Sequence, residues 1–293
     1  SVVPLLWQPT ITINFIKTNQ NKFSQSLTLN PSKWNNQKGF KKFLSHFINQ
    51  SFVLIDSKIK RTGDNFELNP FTIGDDALTL NLNLKNSLFY NRGKQKYSTT
   101  YTYLKTRNRT AFSVGDQDNN LISHQLLFSH KLGKFWLMDI KGIISENKSK
   151  SLNFSNRNYL LDNFEANPKL SYLYSNNSRF EVFYHLKVKE NLQNGLETLK
   201  LHKIGANFIY ARSQKFSINS SLNVIVNNFR GSLNSPVAYQ MLEGLQSGTN
   251  YTWNLSFQKK ITSYLDVNFN YLGRKSETSK AIHTGSLQLR ASF

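Results

Sequence analysis

YTWNLSFQKKITSYLDVNFNY, residues 251–271, sets Tyr251, Trp253, Leu255 and Phe257 against Thr252, Asn254, Ser256 and Gln258. It then sets Leu265, Val267, Phe269 and Tyr271 against Asp266, Asn268 and Asn270. Two period-2 arms around a short turn make a β-hairpin with one apolar and one polar face. A soluble sandwich would hide the apolar face against a second sheet, whereas a membrane barrel would turn it outward to lipid.

The same alternation runs along most of the chain. From residue 78 onward it marks eleven strands, among them Leu78, Leu80, Leu82 and Leu84, and later Phe180, Val182, Tyr184, Leu186 and Val188 opposite Glu181, His185, Lys187 and Lys189. Their connections alternate in length. Short ones fall at 91–96, 131–134, 175–179, 212–215 and 259–263, and long ones at 107–119, 146–166, 190–197, 229–249 and 273–280. Tight periplasmic turns and longer extracellular loops are the asymmetry of an outer-membrane barrel.

Val53, Ile55 and Ile59 add a twelfth strand, and residues 10–17 and 23–29 alternate well enough to give fourteen. Against this, Phe40, Phe43, Leu44, Phe47 and Ile48 have helical spacing, and a short amphipathic helix there would favour twelve. The expected fold is all-β, an antiparallel up-and-down transmembrane β-barrel of fourteen strands, with twelve as the alternative. One domain is expected over residues 1–293, with residues 1–40 lying partly outside or inside the barrel wall.

Composition removes several classes. Apolar residues make up 39% and aromatics 13%, the latter too many for a disordered polar chain. No run approaches the ~18 to 20 apolar residues that a membrane helix needs. With no cysteine, disulfides and thiolate metal sites are excluded. The net charge of +20 invites nucleic acid as a partner, but the basic residues recur singly, as in KIKR (58–61) and KTRNR (105–109), without a dense run of interleaved aromatics. Lipid-headgroup phosphates explain the same balance, and no nucleic-acid partner is expected. SVVPLLWQPT at the start has no basic n-region or cleavage motif, so a mature chain or fragment is expected.

The ending GSLQLRASF places Leu287, Leu289, Ala291 and Phe293 on one face, opposite Gln288 and Arg290. An amphipathic last strand closing on an aromatic residue resembles the assembly signal of bacterial outer-membrane proteins, which the insertion machinery reads by strand pairing. Residues 241–293 resemble the C-terminal β-barrel region of large Bacteroidota outer-membrane proteins, and RNYLLDNFEANPKLSY (157–172) and FELNPF (66–71) are weaker echoes. The resemblance implies a Gram-negative outer membrane, contact with its lipid and lipopolysaccharide, and passage through the barrel-assembly machinery. It implies no activity.

Reactive constellations are thin. The six histidines lack HxxH and HxxxH spacing, and there is no GxSxG elbow. His185 and His202 could face each other across neighbouring strands, and GDQDNN (115–120) clusters oxygen ligands in an outer loop. The simpler readings are rim histidines and turn formers, so no catalytic, metal or cofactor site is expected. Trp136, Tyr210, Phe216, Tyr251, Tyr264 and Tyr271 read as interface girdles rather than sugar platforms. The inward positions Lys85, Asp139, Lys141, Glu181, Lys187, Lys189, Lys203, Asp266 and Arg290 give a mixed, net-basic lumen. Phe135, Leu137, Ile143, Leu173, Phe183, Ile209 and Ile225 also point inward, a poor lining for a wide aqueous channel. The function expected is a non-catalytic membrane anchor or subunit of a larger envelope complex, with an occluded lumen and protein partners. A conduit for anions or apolar small molecules is the alternative.

Overall fold

The computed structural model describes residues 18–34, 39, 48, 50–62, 77–91, 96–112, 115–175, 177–193, 197–212, 215–262 and 264–291. They form one sheet of thirteen strands in sequence order, each antiparallel to the next. The strands are β1 (Thr18–Leu29), β2 (Gln50–Thr62), β3 (Ala77–Tyr90), β4 (Tyr97–Phe112), β5 (Gly115–Leu132), β6 (Trp136–Ser151) and β7 (Tyr159–Ser175). They continue as β8 (Ser178–Asn191), β9 (Thr198–Arg212), β10 (Phe216–Arg230), β11 (Gly248–Thr262), β12 (Leu265–Ser276) and β13 (Ile282–Ala291). The fold is all-β and up-and-down, of the outer-membrane-barrel class.

Strand β1 takes in the stretch 23–29, so the twelve-strand alternative is too small. Residues 10–17, expected as a further strand, and nearly all of 40–48, the possible helix, lie outside the described residues. Strands β1 and β13 are the two ends of the described sheet.

Register carries one face continuously across the sheet. Leu82 faces Ser57 and Arg107; farther on, Leu126 faces Tyr101 and Gly142, Val182 faces Leu170 and Ala206, and Leu222 faces Ala206 and Trp253. Directly paired residues project to the same side, so these apolar positions share one surface. That surface is open: Ile204 is 61%, Leu222 63% and Leu287 66% exposed. Leu255 and Leu289 are exposed on it too, with no second sheet over them among the described residues. Near the far ends of β2 and β3 the same face is covered, where Ile59 and Leu80 are buried beside Leu82. The opposite face is polar and buried, with Ser171, Glu181, Asn191 and Asn227 shielded from solvent. A soluble fold has the reverse distribution.

From β3 on, the connections expected to be short and those expected to be long fall at opposite ends of the sheet, whereas the long link 30–49 between β1 and β2 falls at the short-turn end. The long ones are shorter than expected. Strands β4 and β5 stay paired to Phe112 and Gly115, so the loop assigned to 107–119 is mostly ladder. Residues 146–166 likewise reduce to 152–158, because β6 runs to Ser151 and β7 begins at Tyr159. Beyond the apolar belt both faces of a ribbon are polar, so alternation, the signal used to mark strands, vanishes while backbone pairing continues. The connection between β10 and β11 is different: it holds helix α1 (Pro236–Leu242).

Candidate functional site

Helix α1 is set by its flanks. The Ser235 hydroxyl accepts from the Ala238 amide at 2.9 Å and Pro236 opens the helix, while Glu243 ends it in the left-handed region at φ 55°. Between these stops Val237, Ala238, Met241 and Leu242 are buried. Val237, Met241 and Leu242 pack on Leu161, Leu199, Leu201 and Ile225 of β7, β9 and β10, with Tyr159, Phe229 and Leu245 around the edge. These strand residues belong to the polar face, so the loop folds back over the sheet's inner side. Each large side chain buried this way contributes about 1.5–3 kcal/mol before the cost of ordering the loop.

Ion pairs hold the end of the helix. Lys187 and Lys189 each donate to Glu243 Oε1 at 2.8 Å, and Lys189 also donates to the Met241 carbonyl at 3.0 Å. Burial alone pushes the Glu243 carboxyl up, but the two lysine hydrogen bonds and their charges outweigh it and hold the group at about 2. Lys187 also lies 3.3 Å from Glu165, whose other oxygen is 3.0 Å from His185 Nε2. At the helix start, Glu197 accepts from Asn191 at 2.7 Å and from Ser235 at 3.3 Å.

A second network lies nearer the short turns. Lys169 bridges Asp139 at 3.4 Å and Glu181 at 3.3 Å, and Arg179 reaches Glu181 at 3.2 Å. Ser129 donates to Asp139 at 2.6 Å, and Ser171 and Asn207 donate to Glu181 at 3.3 and 3.2 Å. Register places Lys85, Lys141, Asp266 and Arg290 on this polar face as well, on strands away from α1. Lys203 stands 5.3 Å over the Phe183 ring. Of the inward apolar residues, Ile225 is sealed by α1, whereas Phe135, Leu173 and Ile209 line a cavity of about 530 Å³ near the short turns with Lys134 and Arg179.

Two expectations are corrected. His185 and His202 cannot meet, because His185 faces Lys203 and His202 faces Leu186, so they project from opposite sides of the sheet. GDQDNN is strand, not loop, and its carboxylates are taken: Arg107 forms two-pronged contacts with Asp118, as close as 2.5 Å, and Arg109 pairs with Asp116. No cluster of metal-ligating groups occurs among the described residues. Trp136, Tyr210, Phe216 and Tyr264 sit at the short-turn end, with Trp136 against Tyr172 at 4.8 Å and Tyr210 stacked on Phe216 at 5.0 Å. Leu287 and Leu289 are exposed on the apolar face; Phe293 lies outside the described residues.

The sequence reading missed Glu243, Glu165, Lys169, Arg179 and the helix itself. Ser235-Pro236 and Glu243-Gly244, bracketing Val237 and Met241 four residues apart, were the available start and stop signals.

No family model and no curated protein matches the chain. Among solved structures it is similar to the NanC porin, at 11% identity over 72% of this chain and 94% of that one, with a TM-score of 0.38. It is also similar to the outer-membrane protein OmpT of Vibrio cholerae, at 6% identity over 90% and 89%, with a TM-score of 0.39. The channel DcaP of Acinetobacter baumannii matches at 8% over 83% and 84%, with a TM-score of 0.39. Likeness at this level carries no argument about activity.

Proposed function

We propose that the protein is a multi-pass β-barrel of a Gram-negative outer membrane, of the Bacteroidota type, that serves as a non-catalytic anchor or subunit of a larger envelope complex, its bore closed by the β10–β11 loop. The seat of α1 supports this reading. An apolar helix face packed on Leu161, Leu199, Leu201 and Ile225, with its end held by Lys187 and Lys189, is a stable closure rather than a mobile loop. The anchor role also agrees with carboxylates that are already engaged by arginines or lysines. Its partners would be outer-membrane lipid and lipopolysaccharide, the barrel-assembly machinery during insertion, and proteins of the complex.

Conductance in planar bilayers tests the closure. The intact protein should give no sustained current, and Glu243→Gln should add brief openings. Large, stable, ohmic steps from the unmodified protein would overturn the closed reading in favour of a conduit for anions or apolar small molecules.

A further inference from the structure

Three tyrosine–histidine pairs stand on the apolar face. Tyr101 Oη lies 2.8 Å from His124 Nδ1, Tyr184 Oη 2.6 Å from His202 Nδ1, and Tyr271 Oη 2.8 Å from His283 Nδ1. They occupy β4/β5, β8/β9 and β12/β13, so each recurs four strands after the last. Their geometry is the same each time. The tyrosine faces Leu126, Ile204 or Gly285, and its histidine sits two residues nearer the long loops on that neighbouring strand.

A lysine completes each pair. Lys105 lies two residues beyond Tyr103, which faces His124; Lys200 lies two residues from His202; and Lys275 lies two residues beyond Gly273, which faces His283. In all three the lysine is on the same face, one step toward the long loops.

The three sets share one level. The hydrogen-bonded row from His124 runs through Ile144, Phe164 and Val188 to Lys200, two residues to the long-loop side of His202. The row from His283 runs through Gly273, Trp253 and Leu222 to Ala206, four residues to the short-turn side of His202. Both offsets step the same way along the sheet, toward the short turns from one set to the next, as a level drawn across tilted strands does. On the short-turn side of this ring the face carries exposed Leu126, Ile140, Leu170, Phe208 and Leu287. On the long-loop side it carries Arg107 with Asp118, Glu146, Lys148 and Asp162.

We infer that each Tyr–His–Lys set binds the phosphate of a lipid headgroup in the leaflet on the long-loop side. With the phenol donating to Nδ1, the imidazole carries its proton on Nε2 and offers that N–H to the lipid, and the lysine ammonium adds charge one step above. Phosphate accepts both, and the basic balance of the chain favours it over a neutral headgroup. The inference rests on the membrane reading.

The test is native mass spectrometry of the full chain released from nanodiscs. Discs of phosphatidylcholine doped with phosphatidic acid should leave up to three phosphatidic acid molecules on each barrel. His124→Phe, His202→Phe and His283→Phe should each remove one, and the triple substitution all of them. Tyr101→Phe, Tyr184→Phe and Tyr271→Phe together keep the rings and should weaken retention without lowering yield. Unchanged retention in the triple histidine variant, equal retention of a phosphate-free galactolipid, or full displacement by inorganic phosphate would overturn the inference. Failure to enter the discs at all would instead overturn the membrane reading.

Discussion

Gly273 lies under the ring of Trp253, and Gly205 under the ring of Phe183. A Cβ at Gly273 would stand 1.9 Å from Trp253 Cε2, and one at Gly205 would stand 2.4 Å from Phe183 Cζ. Each ring faces its glycine directly across the ladder, so the missing side chain is the space the ring fills. Gly273→Val should therefore destabilise the barrel by about 1–3 kcal/mol, as overpacking does. Urea unfolding from detergent or lipid reads this, and adding Trp253→Ala should recover part of the loss. At Glu243 the carboxyl is held at about 2, below its ordinary 4.5, so its contribution is complete above about 4.5 and disappears as pH falls through about 2. The protection factors of the amides over 237–242, corrected for the intrinsic pH dependence of exchange, should be flat from neutral pH to about 4.5 and fall between there and about 2. Loss of protection at mildly acid pH would contradict the assignment of Glu243 as the latch.

Helix α1 is the element that packs on the polar face, over Leu161, Leu199, Leu201 and Ile225. Met241 is fully buried on Leu161, Leu199 and Ile225, so Met241→Ala should cost about 2–5 kcal/mol locally. Because the strands pair without it, the loss should appear as protease cleavage in 231–247 with the barrel intact. A fall in the whole barrel's unfolding midpoint instead would mean that the loop carries the fold. The strands were legible where lipid imposes alternation, as at Phe180–Val188 or Tyr251–Phe257. Elsewhere the signal fails for identifiable reasons. Pro168 sits inside β7, opposite Ile140, and has no N–H to give, which makes β7 read as a short arm from Leu170 onward. The ribbon of Arg107 to Asp118 is polar on both faces and reads as loop. Helix α1 is only about two turns long inside a loop, too short for periodicity and marked only by its caps. Its partner residues come from strands far apart in sequence, so no local pattern joins Glu243 to Lys187.

For the whole molecule the deciding property is which solvent meets the apolar face. Leu222 sits on that face between rings of aromatic and histidine side chains. Leu222→Arg should cost about 2–4 kcal/mol in a bilayer and much less at Leu152, which is 79% exposed in a loop. Folding yield into liposomes, compared for the two variants, measures the difference; equal yields would count against a lipid contact at Leu222. The polar network at Lys169, Glu181 and Arg179 was only partly foreseen, because acidic and basic residues on three strands come together through register. Spin-label relaxation on the reconstituted protein tests the lipid contact most directly. Nitroxides at 222, 255 and 287 should be relaxed by oxygen and shielded from a water-soluble nickel chelate. If the nickel chelate reaches those three positions as readily as it reaches a label at Leu152, the apolar face is not in lipid and the account fails.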